Sequence, residues 1–382
     1  MTPAASIMVV AGEASGDLHG AGLCAALLSL SPTTRLFGMG GGRMRAVGVE
    51  LVADVSGRAV VGGTEAVSSI PRLYRVYRRL RRIIERDRPA VLVLIDFPEF
   101  NLVLARAARR AGVPVVYFVP PQIWAWRRGR IRRIRRLVSL VLAVFPFEPA
   151  LYRDAGVAVE FVGHPALDTL DVAPSRAEAR RALQLPDDGL VVGLLPGSRP
   201  GEAARMLPLM GGVAARLVAD GLGARFVVAQ APTLDDAFVR AAVGDAAMIE
   251  IVRDATHTVI RAADLVLVTS GTATLEAALL GTPMIVCYRV SRATELMARL
   301  FVRVPWINLI NLTLGRSAVP ELRLRPEITV ERVTEEVRRL IEQPAARGTQ
   351  RAAFAELRAQ LGEPGVGTRA ARLVLAAAKA AS

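Results

Sequence analysis

Leu265-Val266-Leu267-Val268-Thr269-Ser270-Gly271-Thr272-Ala273-Thr274-Leu275-Glu276 passes from an unbroken apolar run, through small hydroxyl residues, into a helix. A run apolar at every position, rather than at alternate ones, is what a strand buried on both faces of a parallel sheet presents. Residues 189–195 make a second such run and lead into Leu195-Pro196-Gly197-Ser198-Arg199. Both segments are therefore expected at the carboxyl end of a sheet, where open α/β sheets bind ligands. Small residues at a helix start expose backbone N–H groups and the positive end of the dipole, and Arg199 adds a planar fork of donors. The combination suits a nucleotide diphosphate, with Glu276 one turn inside the helix to accept from a ribose diol.

Working outward, the second half shows further strands at 225–230, 248–252 and 284–288, with helices near 176–183 and 234–242. The first half alternates in the same way. Strands are expected at 7–10, 35–38, 91–95 and 115–119, and helices at 18–29, across the arginine-rich stretch after 70, and at 102–111. Alternation of this kind implies βαβ units and parallel sheets, here two Rossmann-like halves. Prolines 165, 174 and 186 mark the connector. The expected domains are 1–166 and 187–345, followed by C-terminal helices over 346–382 whose packing the sequence leaves open.

The chain has 382 residues, 52% of them hydrophobic, which is enough for two substantial cores. Two distant cysteines, Cys24 and Cys287, argue against a disulfide framework and fit a reducing, cytoplasmic setting. The apolar opening has no preceding Lys or Arg and reads as a first strand rather than a signal peptide. No apolar run reaches the roughly 20 residues of a spanning helix. The three histidines are scattered and no Cys-x-x-Cys or Asp-x-Asp occurs, so no metal is expected. A strict Gly-x-Gly-x-x-Gly is also missing, which argues against a nicotinamide cofactor.

The net charge is +14, and the first half holds two arginine clusters, at residues 72–88 and 127–136. Apolar residues interleave with them at helical spacing. Such faces bind an anionic lipid surface or nucleic acid, or simply face solvent with their apolar stripe on the core.

Four motifs carry polar groups beyond what packing asks for. Gly12-Glu13-Ala14-Ser15-Gly16-Asp17-Leu18-His19-Gly20 follows the first strand and crowds Glu13, Asp17 and His19 into a turn. Asp96 ends the run 91–95, either as a functional carboxylate whose burial raises its pKa or as a helix cap. Gln122-Ile123-Trp124-Ala125-Trp126 would line an acyl or sugar pocket, or fill a core. The stretch 308–316 with Pro320-Glu321 reads as a loop rich in amides. His164, in Gly163-His164-Pro165, reads as part of a hinge or turn, and His257 as a contact to a base or phosphate.

These segments, in order, resemble the lipid-A-disaccharide synthase family: 11–17, Asp96 with Pro98, Phe100 and Asn101, 121–127, Phe145-Pro146-Phe147-Glu148, 163–165, 195–199, 270–276, and Asn311 with Gly315, Arg316, Pro320 and Glu321. The resemblance implies an α/β fold of the GT-B type, two Rossmann-like domains whose parallel sheets face a central cleft. It also implies the transfer of 2,3-diacylglucosamine from its UDP donor to 2,3-diacylglucosamine 1-phosphate, releasing UDP and leaving a β-1,6 disaccharide. The chain departs from the family at Pro320-Glu321-Leu322-Arg323-Leu324, where Leu324 stands in place of an expected Gln.

Inversion in one displacement needs a base on the acceptor hydroxyl and charge stabilisation on the departing diphosphate. Asp96 is assigned as the base, Glu13 as its neighbour and His19 as the reserve. Ser198, Arg199, Gly271 and Thr272 would hold the diphosphate, Glu276 the ribose and Asn311 the donor side, with Gln122 and Trp124 as further substrate contacts. No cofactor or metal is called for. Acylated substrates imply peripheral attachment to the anionic inner leaflet of the cytoplasmic membrane; a homodimer stays open, and nucleic acid is not an expected partner. Other GT-B enzymes and UDP-sugar epimerases would share the second-half site but not 122–126. A nucleic-acid-binding protein would leave Asp96 and Glu276 unexplained.

Overall fold

The computed structural model describes residues 6–54, 64–121, 129–170, 173–244, 249–289, 305–323 and 327–380, with the backbone alone for 64–69. It divides into two compact units, Met1–Asp168 with Leu361–Ser382, and Thr169–Gln360.

The first unit runs β1 (Ser6–Ala11), α1 (Ala14–Leu30), β2 (Arg35–Gly40), α2 (Gly42–Ala46), β3 (Glu50–Asp54), α3 (Thr64–Asp87), β4 (Val91–Ile95), α4 (Pro98–Arg110), β5 (Val115–Phe118), α5 (Arg130–Leu137), β6 (Leu140–Ala143), α6 (Glu148–Asp154) and β7 (Val159–Phe161), with α7 (Ala166–Leu170) at the junction. Its strands form one parallel sheet in the order β3-β2-β1-β4-β5-β6-β7. The second unit contains α8 (Arg176–Ala182), β8 (Leu190–Leu195), α9 (Pro200–Ala219), β9 (Ala224–Gln230), α10 (Asp236–Val243), β10 (Ile249–Arg253), α11 (Thr256–Ala262), β11 (Leu265–Thr269), α12 (Thr272–Leu279) and β12 (Met284–Cys287). It continues with α13 (Leu309–Leu314), β13 (Glu321–Leu322), α14 (Val330–Glu342) and α15 (Pro344–Gln360). Its sheet is also parallel, ordered β10-β9-β8-β11-β12-β13. The central runs are buried throughout: Ile7–Ala11 and Val91–Ile95 are 0% exposed, which is why they read as continuously apolar.

The strands β3, β6 and β7 were not expected from the sequence, and α1 and α4 begin four residues earlier than the apolar spacing suggested. Pro98 accounts for the start of α4, since its fixed φ suits the first helical position. α16 (Val366–Lys379) belongs to the first unit, whereas α15 belongs to the second. Asp168 caps α16, accepting from the N–H groups of Gly365 (2.6 Å), Val366 (3.1 Å) and Gly367 (2.8 Å).

The basic faces divide between the two readings. On α5, Ile134 is buried and Ile131 and Leu137 pack on the core, so its apolar stripe faces inward, while Arg132, Arg133, Arg135 and Arg136 face solvent. On α3, Leu80 and Ile84 are buried, but Ile70 and Tyr74 are each 58% exposed beside Arg72 and Arg75. Among the described residues no helix is long and apolar enough to cross a membrane.

His164 is buried against Phe145 (ring centroids 5.1 Å) and His19 (6.1 Å, edge-on), with Nδ1 accepting from the Ala166 N–H at 3.2 Å. Burial, and secondarily the neighbouring His19, lowers its pKa from 6.5 to about 3. The unfolded chain takes up this proton near pH 6.5 and the native chain only near 3, so the contribution is complete above 6.5 and is lost as pH falls through that window. His164→Gln should therefore flatten the dependence of Tm on pH between 6.5 and 4. A slope equal to that of the wild type would refute this source of acid sensitivity.

Candidate functional site

In each unit the strand order reverses at one place, between β1 and β4 in the first sheet and between β8 and β11 in the second. Loops leaving neighbouring strands there part to opposite faces and open a crevice at the carboxyl ends. The polar motifs fall at these two points.

In the first unit Ala11 pairs with Ile95, so Gly12-Glu13 and Asp96 leave adjacent strands, about 4.8 Å apart in a sheet. Gly12 is required by close approach, because a Cβ there would overlap the Phe97 ring. Asp96 (φ 48°) and Phe97 (φ 44°) are consecutive residues in the left-handed region, a conformation that costs about 1–3 kcal/mol each outside glycine. Several contacts impose it. The Asp96 carbonyl accepts from Asn101 Nδ2 (2.7 Å) and from the Tyr117 hydroxyl (2.7 Å), and Phe97 stacks on Phe100 at 5.6 Å. Burial pushes the Tyr117 pKa well above its usual value, which keeps the hydroxyl a donor. Arg130, at the start of α5, forms an ion pair with Glu99 beside this turn.

In the second unit Leu195 pairs with Val268, so 196–199 and 269–272 emerge side by side. α9 starts at Pro200 with Arg199 in the N-cap position, and α12 starts at Thr272 with Gly271 there; neither start has a side-chain cap. Two helix N-termini are thus presented with their partial positive charge open to an anion. Thr274 Oγ1 donates to the Gly271 carbonyl (2.7 Å) and fixes the second turn. Glu276 Oε1 lies 3.5 Å from His257 Nε2 of α11. Behind the first turn sits Glu202, whose pKa burial raises while Arg199 and Arg205 oppose the shift. Gly197 has φ +94°, and a Cβ there would overlap the Glu202 carboxylate. Gly197→Ala should lower stability by about 1–3 kcal/mol. A denaturation midpoint equal to that of the wild type would contradict the strain.

Several expected residues turn out to shape backbone. Asp17 is buried and accepts from Gly41 (2.7 Å), Arg43 (3.0 Å) and Met44 (3.1 Å) N–H groups, so it closes the β2–α2 turn. Residues 309–314 form a helix, not a loop. Asn308 caps it through the Asn311 N–H (2.9 Å), and Gly315 ends it in the left-handed conformation. Asn311 is wholly buried, accepting from Ala318 (2.8 Å) and Val319 (3.0 Å) and donating to the Val319 carbonyl (3.0 Å). Glu321 accepts from the Ile307 N–H (2.7 Å) and from Asn308 Nδ2. Gln122, Trp124 and Leu324 lie outside the described residues. Tyr117, Arg130 and Glu202 were not foreseen, although a tyrosine inside the apolar strand Val115–Phe118 was a signal, since a buried hydroxyl needs a partner.

Two parallel Rossmann-like sheets, each with its polar motifs at the switch point, define the GT-B class. Solved structures share this fold. A putative UDP-N-acetylglucosamine 2-epimerase from Listeria monocytogenes aligns with a TM-score of 0.68 at 13% identity, covering 99% of this chain and 96% of that one. Acinetobacter baumannii MurG aligns at 0.57 and 15% identity, covering 98% and 100%. Residues 7–375 match the family model described as Lipid-A-disaccharide synthetase, and the chain belongs to that family. The Lipid-A-disaccharide synthase of Syntrophus aciditrophicus is 43% identical over 371 residues, 97% of each chain. The resemblance carried by the motifs is thereby confirmed.

Proposed function

We propose that the protein is an inverting glycosyltransferase that moves 2,3-diacylglucosamine from UDP to 2,3-diacylglucosamine 1-phosphate. The products are UDP and the β-1,6 disaccharide 1-phosphate. The observation that carries this reading is the placement of a carboxylate motif at one switch point and an anion-binding motif at the other. Asp96 takes the proton of the acceptor 6-hydroxyl as its oxygen bonds to the donor C1, and Glu13 orients that hydroxyl. The C1–phosphate bond breaks, and the electron pair leaves with UDP. Ser198, Arg199 and the α9 and α12 N-termini, through Gly271 and Thr272, receive the growing charge. Glu276, close to His257, binds the ribose. Asn311 shapes the donor wall from beneath, and Gln122 and Trp124 contact the acylated sugars. The test incubates the protein with both lipid sugars in EDTA and follows UDP. Release that requires the acceptor and matches disaccharide formation is expected; UDP or epimerised sugar formed from the donor alone would overturn the reading.

Acylated substrates place the enzyme on the inner leaflet, and Ile70 and Tyr74 among the α3 arginines suit that surface by apolar burial plus attraction to anionic lipid. Ile70→Ser with Tyr74→Ser should weaken binding to anionic vesicles by about tenfold or more. Equal cosedimentation of variant and wild type would exclude this face.

A further inference from the structure

The second unit has a cavity of about 170 Å³ lined by Arg176, Arg261, Arg351, Leu280, Thr282 and Pro283, among others. Pro283 immediately precedes β12, and Ala263, also in the lining, precedes β11, so the cavity lies at the amino ends of these strands. Ser198, Arg199 and Gly271 lie at the opposite, carboxyl ends.

Three guanidinium groups come here from three helices. Arg176 opens α8, Arg261 ends α11, and Arg351 is on α15. The Gln350 side chain fixes the last of these helices by accepting from the Met284 N–H (2.8 Å) and donating to its carbonyl (3.1 Å). Neighbouring Arg180 shows what a purely structural arginine looks like in this region. It is buried and donates to the carbonyls of Ala262, Pro186, Asp187 and Gly189 and to the Asp264 carboxylate. The cavity arginines differ. Arg261 donates once, to the Leu280 carbonyl at 3.2 Å, and its buried Nε–H has no partner among the described residues. Arg351 is exposed and makes no ion pair among the described residues. Arg176 bonds Asp264 (2.6 Å), but that carboxylate is already shared with Arg180 and the Val191 N–H.

Like charges brought to one concave surface repel unless an anion lies between them, and a buried donor without an acceptor is unfavourable. We propose that this pocket is a second anion site, for inorganic phosphate or the phosphomonoester of a lipid headgroup, separate from the switch-point site of the same unit. At about 30 Å³ per water, the cavity has room for a tetrahedral oxyanion. A dianion there would accept charge-assisted hydrogen bonds from the guanidinium groups of Arg176, Arg261 and Arg351 that line it.

Inorganic phosphate titrated into the full chain saturated with UDP, with ionic strength held constant by chloride, should reveal one saturable site. Arg351→Gln and Arg261→Gln should each weaken it about tenfold or more. Arg351 is exposed, so its variant should keep the phosphate-free Tm, which separates loss of the site from loss of the fold. Arg199→Ala should leave the phosphate titration unchanged. Vesicles with and without phosphatidic acid identify the source. A preference for phosphatidic acid lost in Arg351→Gln assigns a headgroup, and saturable phosphate binding without that preference assigns the free ion. No phosphate-specific binding by the wild type, or equal affinity in all variants, would overturn the proposal while leaving the transferase reading untouched.

Discussion

Asp96→Asn is expected to lower kcat by about 10²–10⁴-fold, the range that a positioned base contributes, with UDP affinity within about twofold of the wild type. The substitution separates chemistry from folding unusually well. Asp96 sits at φ 48°, and Asn is among the few residues that adopt this region readily, so the turn survives the change. The bonds that hold the turn run to the Asp96 carbonyl from Asn101 and Tyr117, and the substitution leaves them in place. The side chain loses its ability to accept a proton. An unchanged Tm with a collapsed turnover is the expected pair of results. Retained turnover would move the base elsewhere, with buried His19 the next to replace.

The strand tips that carry both sites were legible in the sequence because a strand covered on both faces has no polar alternation to blur its ends, whereas the strand order that makes them switch points was not. In residues 91–95 the last apolar residue is the strand tip and in 265–269 it stands one residue before it, and the polar residues that follow mark the crevice. The last two strands of the first unit, β6 and β7, gave no such signal. Val159–Phe161 spans three residues, two of them exposed, and Leu140–Ala143 directly follows a basic helix. Polar motif residues divide for a different reason. Asp17, Asn311, Glu148 and Glu321 bind backbone amides, whereas Asp96 and Arg199 stand at strand and helix ends, and a one-dimensional string shows a polar side chain without showing what it meets. Stretch 308–315 did carry its own answer. Asn308 before an apolar run and Gly315 after it are helix start and stop signals, here read as loop chemistry.

Arg199→Ala is expected to reduce kcat by about 10²–10³-fold and to weaken UDP binding as well, since the guanidinium meets charge present in the donor and greater in the transition state. Arg199→Lys should recover only part of the rate, because an ammonium keeps the charge but not the two parallel donors that match a phosphate edge. The substitution also acts on Glu202. Burial raises that carboxyl's pKa, and Arg199 and Arg205 pull it down, so removing Arg199 shifts it further up. Glu202 lies against Gly197, at the root of the turn that carries Ser198. Any rise of the variant's residual activity with pH as Glu202 regains its charge should therefore lie at higher pH than in the wild type. Glu202→Gln in the Arg199→Ala background should abolish that rise. A pH-independent residual rate in the single variant would show that Arg199 acts on the diphosphate alone, and wild-type turnover in Arg199→Ala would remove it from the site.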